Sequence, residues 1–395
     1  MIAPVKKFPI VALAAFPLVG EAASLSVRAV NPLQVARPAQ TLELSAADLS
    51  PLGPVDLASV HVKDASGAEL LCQAIDNDGD PLRKFDAVIF QADFAPGETK
   101  AFTVQKGARQ VFKKEQFKAY GRFNRERFDD FVWENDRIAH RTYGQALETW
   151  EGEPLSSSTI DIWSKRTPRL VVNDWYMSED YHADHGEGAD FYSAGPSRGC
   201  GGSGFWAADR LWVSRNFVGS KVLANGPIRV MFELEYAPFD VNGVSVAETK
   251  RVTLDAGRQF DFYQSTWKPY VRPGQSVAFS PAVGLKKVAG ETVTDGAGKG
   301  WLAKWEPVEK NGGRQGLAMI VVAEGTVKRA EDPLNHLLVT DAAVGNGGNF
   351  KASWWAGFCW DKAERFTSAE AWLRHVEEFA QGLAAPIEVQ VSPAR

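Results

Sequence analysis

Hydrophobic and polar positions alternate with a period of two along much of this chain, the pattern of strands with one face buried. Thr41–Leu44, Ser59–Val62, Glu69–Ala74, Ala87–Gln91 and Lys100–Val104 read as short strands. Asp-Ala-Ser-Gly at 64–67, Asp-Asn-Asp-Gly at 76–79 and Pro96-Gly97 separate them with turn chemistry. That spacing predicts a small β-sandwich over 24–108, with Ala108–Lys118 as a polar connector. Beyond it, Arg229–Tyr236 alternates strongly, with Val230, Phe232, Leu234 and Tyr236 on one side. Glu248–Leu254 and Phe260–Trp267, joined across Asp255-Ala-Gly, predict a hairpin. Ile160–Lys165, Val277–Leu285, Gly300–Trp305, Gly316–Val322, Leu337–Val339 and Ser353–Cys359 continue the strand pattern. The period changes once: Thr367 and Glu370 form a capping-box pattern, and Trp372, Val376, Phe379 and Leu383 then share one helical face. Ile387, Val389 and Val391 return to a strand. The expected fold is all-β and mostly antiparallel, a small sandwich followed over 109–395 by two large packed sheets, with few helices.

Composition narrows the picture. A chain of 395 residues with 45% hydrophobic and 11% aromatic residues can bury a large core. A formal charge of −5 with no basic block excludes a nucleic-acid partner. Lys6 and Lys7 precede an apolar run, Phe8 to Val19, and then Gly20, Glu21, Ala22 and Ala23. This reads as a signal peptide over 1–23, too short to span a bilayer, with mature protein from near Ser24. The expected location is outside the cytoplasm, periplasmic in a Gram-negative source, with no span after signal removal. Of three cysteines, Cys72, Cys200 and Cys359, at least one is left unpaired. Buried thiols are the expectation, with Cys200–Cys359 a conceivable bridge in an oxidising compartment.

The chemistry concentrates in 175–204. His182 and His185 lie there with Glu179, Asp180, Asp184, Glu187, Tyr176, Tyr181, Tyr192, Arg198 and several glycines. Such side chains are costly to bury unpaired, so the segment reads as a site loop held on a rigid scaffold. Residues 128–144 add Trp133, Glu134, Asp136, Arg141 and Tyr143. Three uses compete. A divalent metal held by His182, His185 and Asp184 (or Glu187) is one, and hydrogen-bonded loop histidines are another. The third is acid–base catalysis, with His182, His185, Tyr181, Tyr143 and Glu187 as the reacting groups. Arg198, Arg141, Glu134, Asp136, Trp133, Trp175 and Tyr176 would then hold substrate. Glycine-rich Ser197–Gly204 lacks the lysine of a phosphate loop and reads as a tight turn. Trp354, Trp355 and Trp360 read as core packing or as a stacking platform.

The stretches ENDRIAHRTYG, HADHGEGADFYSAGPSRGCGG, VLANGPIRVMFELEY and ETKRVTLDAG together resemble a bacterial family of secreted proteins catalogued as a domain of unknown function. Members of that family accompany enzymes that degrade uronate-containing polysaccharides. The strand pattern is also similar to the galactose-mutarotase-like supersandwich of sugar epimerases and several polysaccharide lyases. Fold alone does not fix chemistry. The resemblance implies an oligo- or polysaccharide ligand bearing uronate, cleaved by lyase-type β-elimination. Glycoside hydrolysis, mutarotase- or epimerase-like chemistry, and sugar binding without turnover are the alternatives. No cofactor is required beyond the metal considered above.

Overall fold

A computed structural model describes residues 24–80, 84–152, 155–178, 180–272, 277–308, 312–322, 325–345 and 348–394. The signal-peptide expectation at 1–23, and Glu179, fall outside these residues. The chain is mostly antiparallel β, as the alternation predicts. Its N-terminal sandwich packs a five-stranded sheet on a three-stranded one formed by Arg37–Ser45, Ala87–Phe94 and Cys72–Ile75. Leu25, Val27, Leu42, Leu44, Val62, Val88, Phe90, Phe102 and Val104 fill the space between. The sequence boundary at 108 misses one strand of this unit. Glu388–Pro393 pairs with Ser24–Val30, so the sandwich joins strands from near the first and last of the described residues.

The larger part is built on an eight-stranded sheet running from Gly219–Asn225 to Thr292–Gly296. The hairpin predicted from Glu248–Leu254 and Phe260–Trp267 lies at its centre, its strands extending over Val244–Asp255 and Phe260–Tyr270. Its inner face presents Phe232, Leu234, Val252, Leu254, Tyr263, Leu317 and Trp354 to one large core. Two sheets cover that core. One has six strands, including Cys200–Ala207 and Val277–Lys286. The other has five, in the order Gly188–Ala189, Asp161–Lys165, Ala139–Thr142, Asp130–Asn135 and Ala119–Asn124. Gln73 ties the small sandwich to the large sheet by accepting from the backbone N–H groups of Ile228 and Arg229.

The helix spans Ala369–Ala384 and begins one residue later than its pattern predicts: the Ser368 hydroxyl, rather than Thr367, accepts from Ala371 N–H. Trp372 and Val376 bury against the outer face of the eight-stranded sheet, with Phe260, Trp301 and Ile320. All three cysteines are free and buried. Trp354 and Trp360 are core residues, at 0% and 2% exposure.

Glycines in the sheets mark close approaches. A Cβ at Gly357 would sit 1.9 Å from the Gln259 carbonyl oxygen. Gly357→Ala is therefore expected to cost about 1–3 kcal/mol by overpacking, read as a lowered urea midpoint. The 197–204 run is not a turn throughout, because Cys200–Ala207 is a strand with a bulge between Cys200 and Gly202. Gly201 has φ of +95°, and a Cβ there would sit 2.2 Å from Ala356 Cβ. These glycines serve backbone packing.

Candidate functional site

The five-stranded sheet positions the site. Alternation sends Phe131, Trp133, Ile160 and Ile162 into the large core, and places Asp130, Val132, Glu134, Ala139, Arg141, Asp161, Trp163 and Lys165 on the other face. That face would be an exposed array of charge if nothing covered it. The segment after Lys165 folds back over it: a short helix, Val172–Tyr176, then the polar loop, then the edge strand Gly188–Ala189. Trp163 anchors the cover, stacking with Trp175 at 5.7 Å and Tyr181 at 5.4 Å between ring centroids. Glu134 anchors the helix start. Its carboxylate accepts from Val171 and Val172 N–H at 2.9 Å each and from Lys165 Nζ at 2.7 Å.

Beneath the cover, one guanidinium meets three carboxylates. Arg141 Nε donates to Asp161 Oδ2 at 2.8 Å, its Nη2 lies 2.9 Å from Asp190 Oδ2, and its Nη1 lies 3.9 Å from Asp130 Oδ2. Tyr143 donates to Asp161 at 2.7 Å and Tyr176 to Asp130 at 3.1 Å. Arg141 Nη1 also donates to the Tyr181 hydroxyl at 3.2 Å. Burial pushes the Asp130 carboxyl up to about 7, against the opposing charges of Arg141 and Arg127. Burial likewise raises Asp190 well above the usual carboxylate range. Burial would lower Arg141, but Asp190, Tyr143 and Asp161 hold it raised. The Tyr181 phenol is raised by burial.

The raised Asp130 carboxyl has a signed consequence. Folded Asp130 keeps a proton that the unfolded chain releases above its ordinary value of 3.8. Its contribution to stability is full below that value and lost as pH rises through about 7. Asp130→Asn is expected to flatten the fall in stability across this window, measured by urea unfolding at pH 5 and pH 8, each about one to two units inside or beyond the window.

At the edge of the cluster stands His182, whose side chain is 48% exposed. Its Nδ1 is 3.0 Å from the Asp190 carbonyl oxygen and 3.4 Å from the Asp190 carboxylate. A carbonyl can only accept, so Nδ1 carries the proton and Nε2 keeps its lone pair. The imidazole lies 4.4 Å from the Tyr181 ring, centroid to centroid. An aromatic rim lies close by: Phe128 stacks on Trp150 at 4.5 Å, and the Arg127 guanidinium packs over the rings of both Trp150 and Tyr181.

The sequence-derived candidates divide on this geometry. Arg141, Tyr143, Trp175, Tyr176, Tyr181 and His182 come together. His185 is exposed. The remaining candidates are redirected from site to framework, because internal contacts occupy them. Glu134 is consumed by Lys165 and the helix start. Trp133 is buried and donates to Asp261 at 2.7 Å. Asp136 accepts from Gly257 N–H at 2.6 Å. Arg198 is buried and spends its guanidinium on Ser157, Ser158 and the Ser203 carbonyl, and burial pushes it down to about 10. Glu187 is paired bidentately with Arg169, and Asp184 with Arg166, so both pin the loop. The metal set is corrected as well. His182, His185 and Asp184 do not converge, and the three-donor group among the described residues is Asp76, Asp78 and Asp86.

Sequence reasoning missed Asp130, Asp161, Asp190, Arg127 and Trp163. A signal was present: Asp130, Asp161 and Asp190 immediately precede the apolar residues Phe131, Ile162 and Phe191. A carboxylate starting an apolar strand run must be paired once the strand is covered.

Comparison with known proteins fixes the family. The family model described as "Domain of unknown function (DUF4861)" matches residues 30–389. The chain belongs to that DUF4861 family. Consistent with this, it is 31% identical over 373 residues to "Uncharacterized protein P7" of Formosa agariphila, covering 91% of this chain and 92% of the relative. Among solved structures, a protein in glycosyl hydrolase family 38 from Enterococcus faecalis matches with a TM-score of 0.53 at 10% identity, over 95% of this chain and 48% of the other. An alpha-mannosidase from Enterococcus faecalis V583 matches with a TM-score of 0.50 at 10% identity, over 93% and 46%. The DUF4861 chain thus spans about half the length of these solved structures. At 10% identity the likeness is one of fold.

Proposed function

We propose that this protein is a carbohydrate-active enzyme that cleaves uronate-bearing oligo- or polysaccharides by β-elimination at His182 and Tyr181. The observation that carries this reading is the orientation of His182: Asp190 takes its Nδ1–H and leaves Nε2 as a base at the surface. Nε2 accepts the proton α to the sugar carboxylate. The electron pair forms the ring double bond as the glycosidic carbon–oxygen bond breaks. Tyr181, kept protonated by burial and touched by Arg141, donates its proton to the departing oxygen. Arg127 and Arg141 lie beside the phenol to stabilise the charge it acquires. Phe128 and Trp150 offer apolar faces on which a sugar ring can stack. The supersandwich likeness to glycosidase-family chains supports a sugar ligand. Export before action is part of this proposal.

Hydrolysis is less well served. It needs two carboxylates flanking the scissile bond, whereas Asp130, Asp161 and Asp190 are buried beneath Tyr181 and face Arg141. The test is a screen of purified protein against oligouronides with and without chelator. Ultraviolet absorbance from a conjugated unsaturated product supports elimination. Reducing ends without that absorbance, or binding without product, overturns it.

A further inference from the structure

A second feature lies at the opposite end of the five-stranded sheet, where Asn135–Ile138 turns and Lys165 leads into the loop. There a cavity of about 120 Å³ is lined by Arg137, Lys165, Arg166 and Arg365, with Trp360 and Phe366 among its apolar walls. Four cations share this wall with one acid, Asp136. Two of the cations are already matched: Lys165 by Glu134, and Arg166 by Asp184. Arg137 meets Asp136 only at 3.7 Å, and that carboxylate also accepts from Gly257 N–H. Among the described residues no carboxylate forms an ion pair with Arg365. Partial burial, then the charge of Arg137, pushes the Arg365 guanidinium down.

A second, independent observation points the same way. Trp360 lines the cavity at 2% exposure, and its buried Nε1–H has no hydrogen-bond partner among the described residues. A buried donor without an acceptor is costly. Two arginines short of negative charge beside an orphaned N–H describe a receptor for an oxyanion, which supplies charge and lone pairs together.

We propose that this cavity binds one oxyanion group, a carboxylate or sulfate, between Arg137 and Arg365 with Trp360 Nε1–H facing it. The anion is either free or carried by an acidic saccharide. The site is separate from His182, and the proposal stands whether or not the elimination reading does.

The test follows the Trp360 indole N–H resonance in the ¹H–¹⁵N spectrum of the full chain, titrated with sodium sulfate, sodium acetate and a short oligouronide. Saturable shifts are expected in the wild type, with affinity weakened at least about tenfold in Arg137→Ala and Arg365→Ala. Tighter binding of the oligouronide than of acetate identifies a saccharide-borne anion, and equal or tighter binding of the small ions identifies a free one. Arg365 is exposed at the rim, so its variant should fold normally, checked by an otherwise unchanged spectrum. The proposal is overturned if none of the three ligands moves the Trp360 signal, or if both variants bind as the wild type does. His182→Ala should bind these ligands undiminished, which separates this proposal from the catalytic one.

Discussion

Turnover of an oligouronide is expected to fall by about 10²–10⁴-fold in His182→Ala, with the fold intact. The size follows from removing a positioned base. The intact fold follows from exposure: the imidazole is half in solvent and its loss empties no core. Tyr181→Phe should lose a similar factor, because the proton for the leaving oxygen goes with the hydroxyl. The ring still stacks on Trp163, so stability should change little. Initial rates on a defined oligouronide, with circular dichroism as the folding control, measure both. Unchanged rates in either variant would remove that residue from the chemistry. His185→Ala gives a contrast: its side chain is exposed, and among the described residues no hydrogen bond or ion pair ties it to the cluster, so little loss is expected.

The second large effect is on stability. Arg141→Met should cost about 3–5 kcal/mol, because it leaves the buried carboxylates around it without their cation. Asp161 keeps donors in Tyr143 and in Ile162 N–H, whereas Asp190 loses the guanidinium 2.9 Å from it and keeps only the weaker influence of Arg127 and the edge of His182. Partial relief should come from acidification, which protonates the orphaned carboxyls, so the deficit should shrink as pH falls. Urea denaturation across pH measures it. A variant as stable as the wild type at neutral pH would show that the cluster is not held by this guanidinium.

The large sheet was legible because its strands carry their own pattern. Val230, Phe232, Leu234 and Tyr236 announce a buried face without reference to any partner. The helix was legible for the same reason, through Trp372 and Val376. Pairing of Glu388–Pro393 with Ser24–Val30 was not, because nothing local encodes a partner more than 350 residues away. The site was half legible. Polar aromatic residues in a glycine-rich loop marked where to look, and Tyr176, Tyr181 and His182 do gather over Arg141 and Tyr143. Glu134, Arg198 and Asp136 show the limit. An isolated charge in sequence looks the same whether it faces substrate or, like Arg198, is spent on Ser157, Ser158 and Ser203. Only the partners supplied by distant segments tell the two apart.

The proposed chemistry turns on one imidazole having its proton on the inner nitrogen and its lone pair on the outer one. Nitrogen-15 NMR of the neutral His182 side chain reads this directly. A predominant Nδ1–H tautomer, retained in Asp190→Asn because the accepting carbonyl belongs to the main chain, is the predicted result. A predominant Nε2–H tautomer would contradict it, since the surface nitrogen would then hold a proton and could not accept one from a sugar.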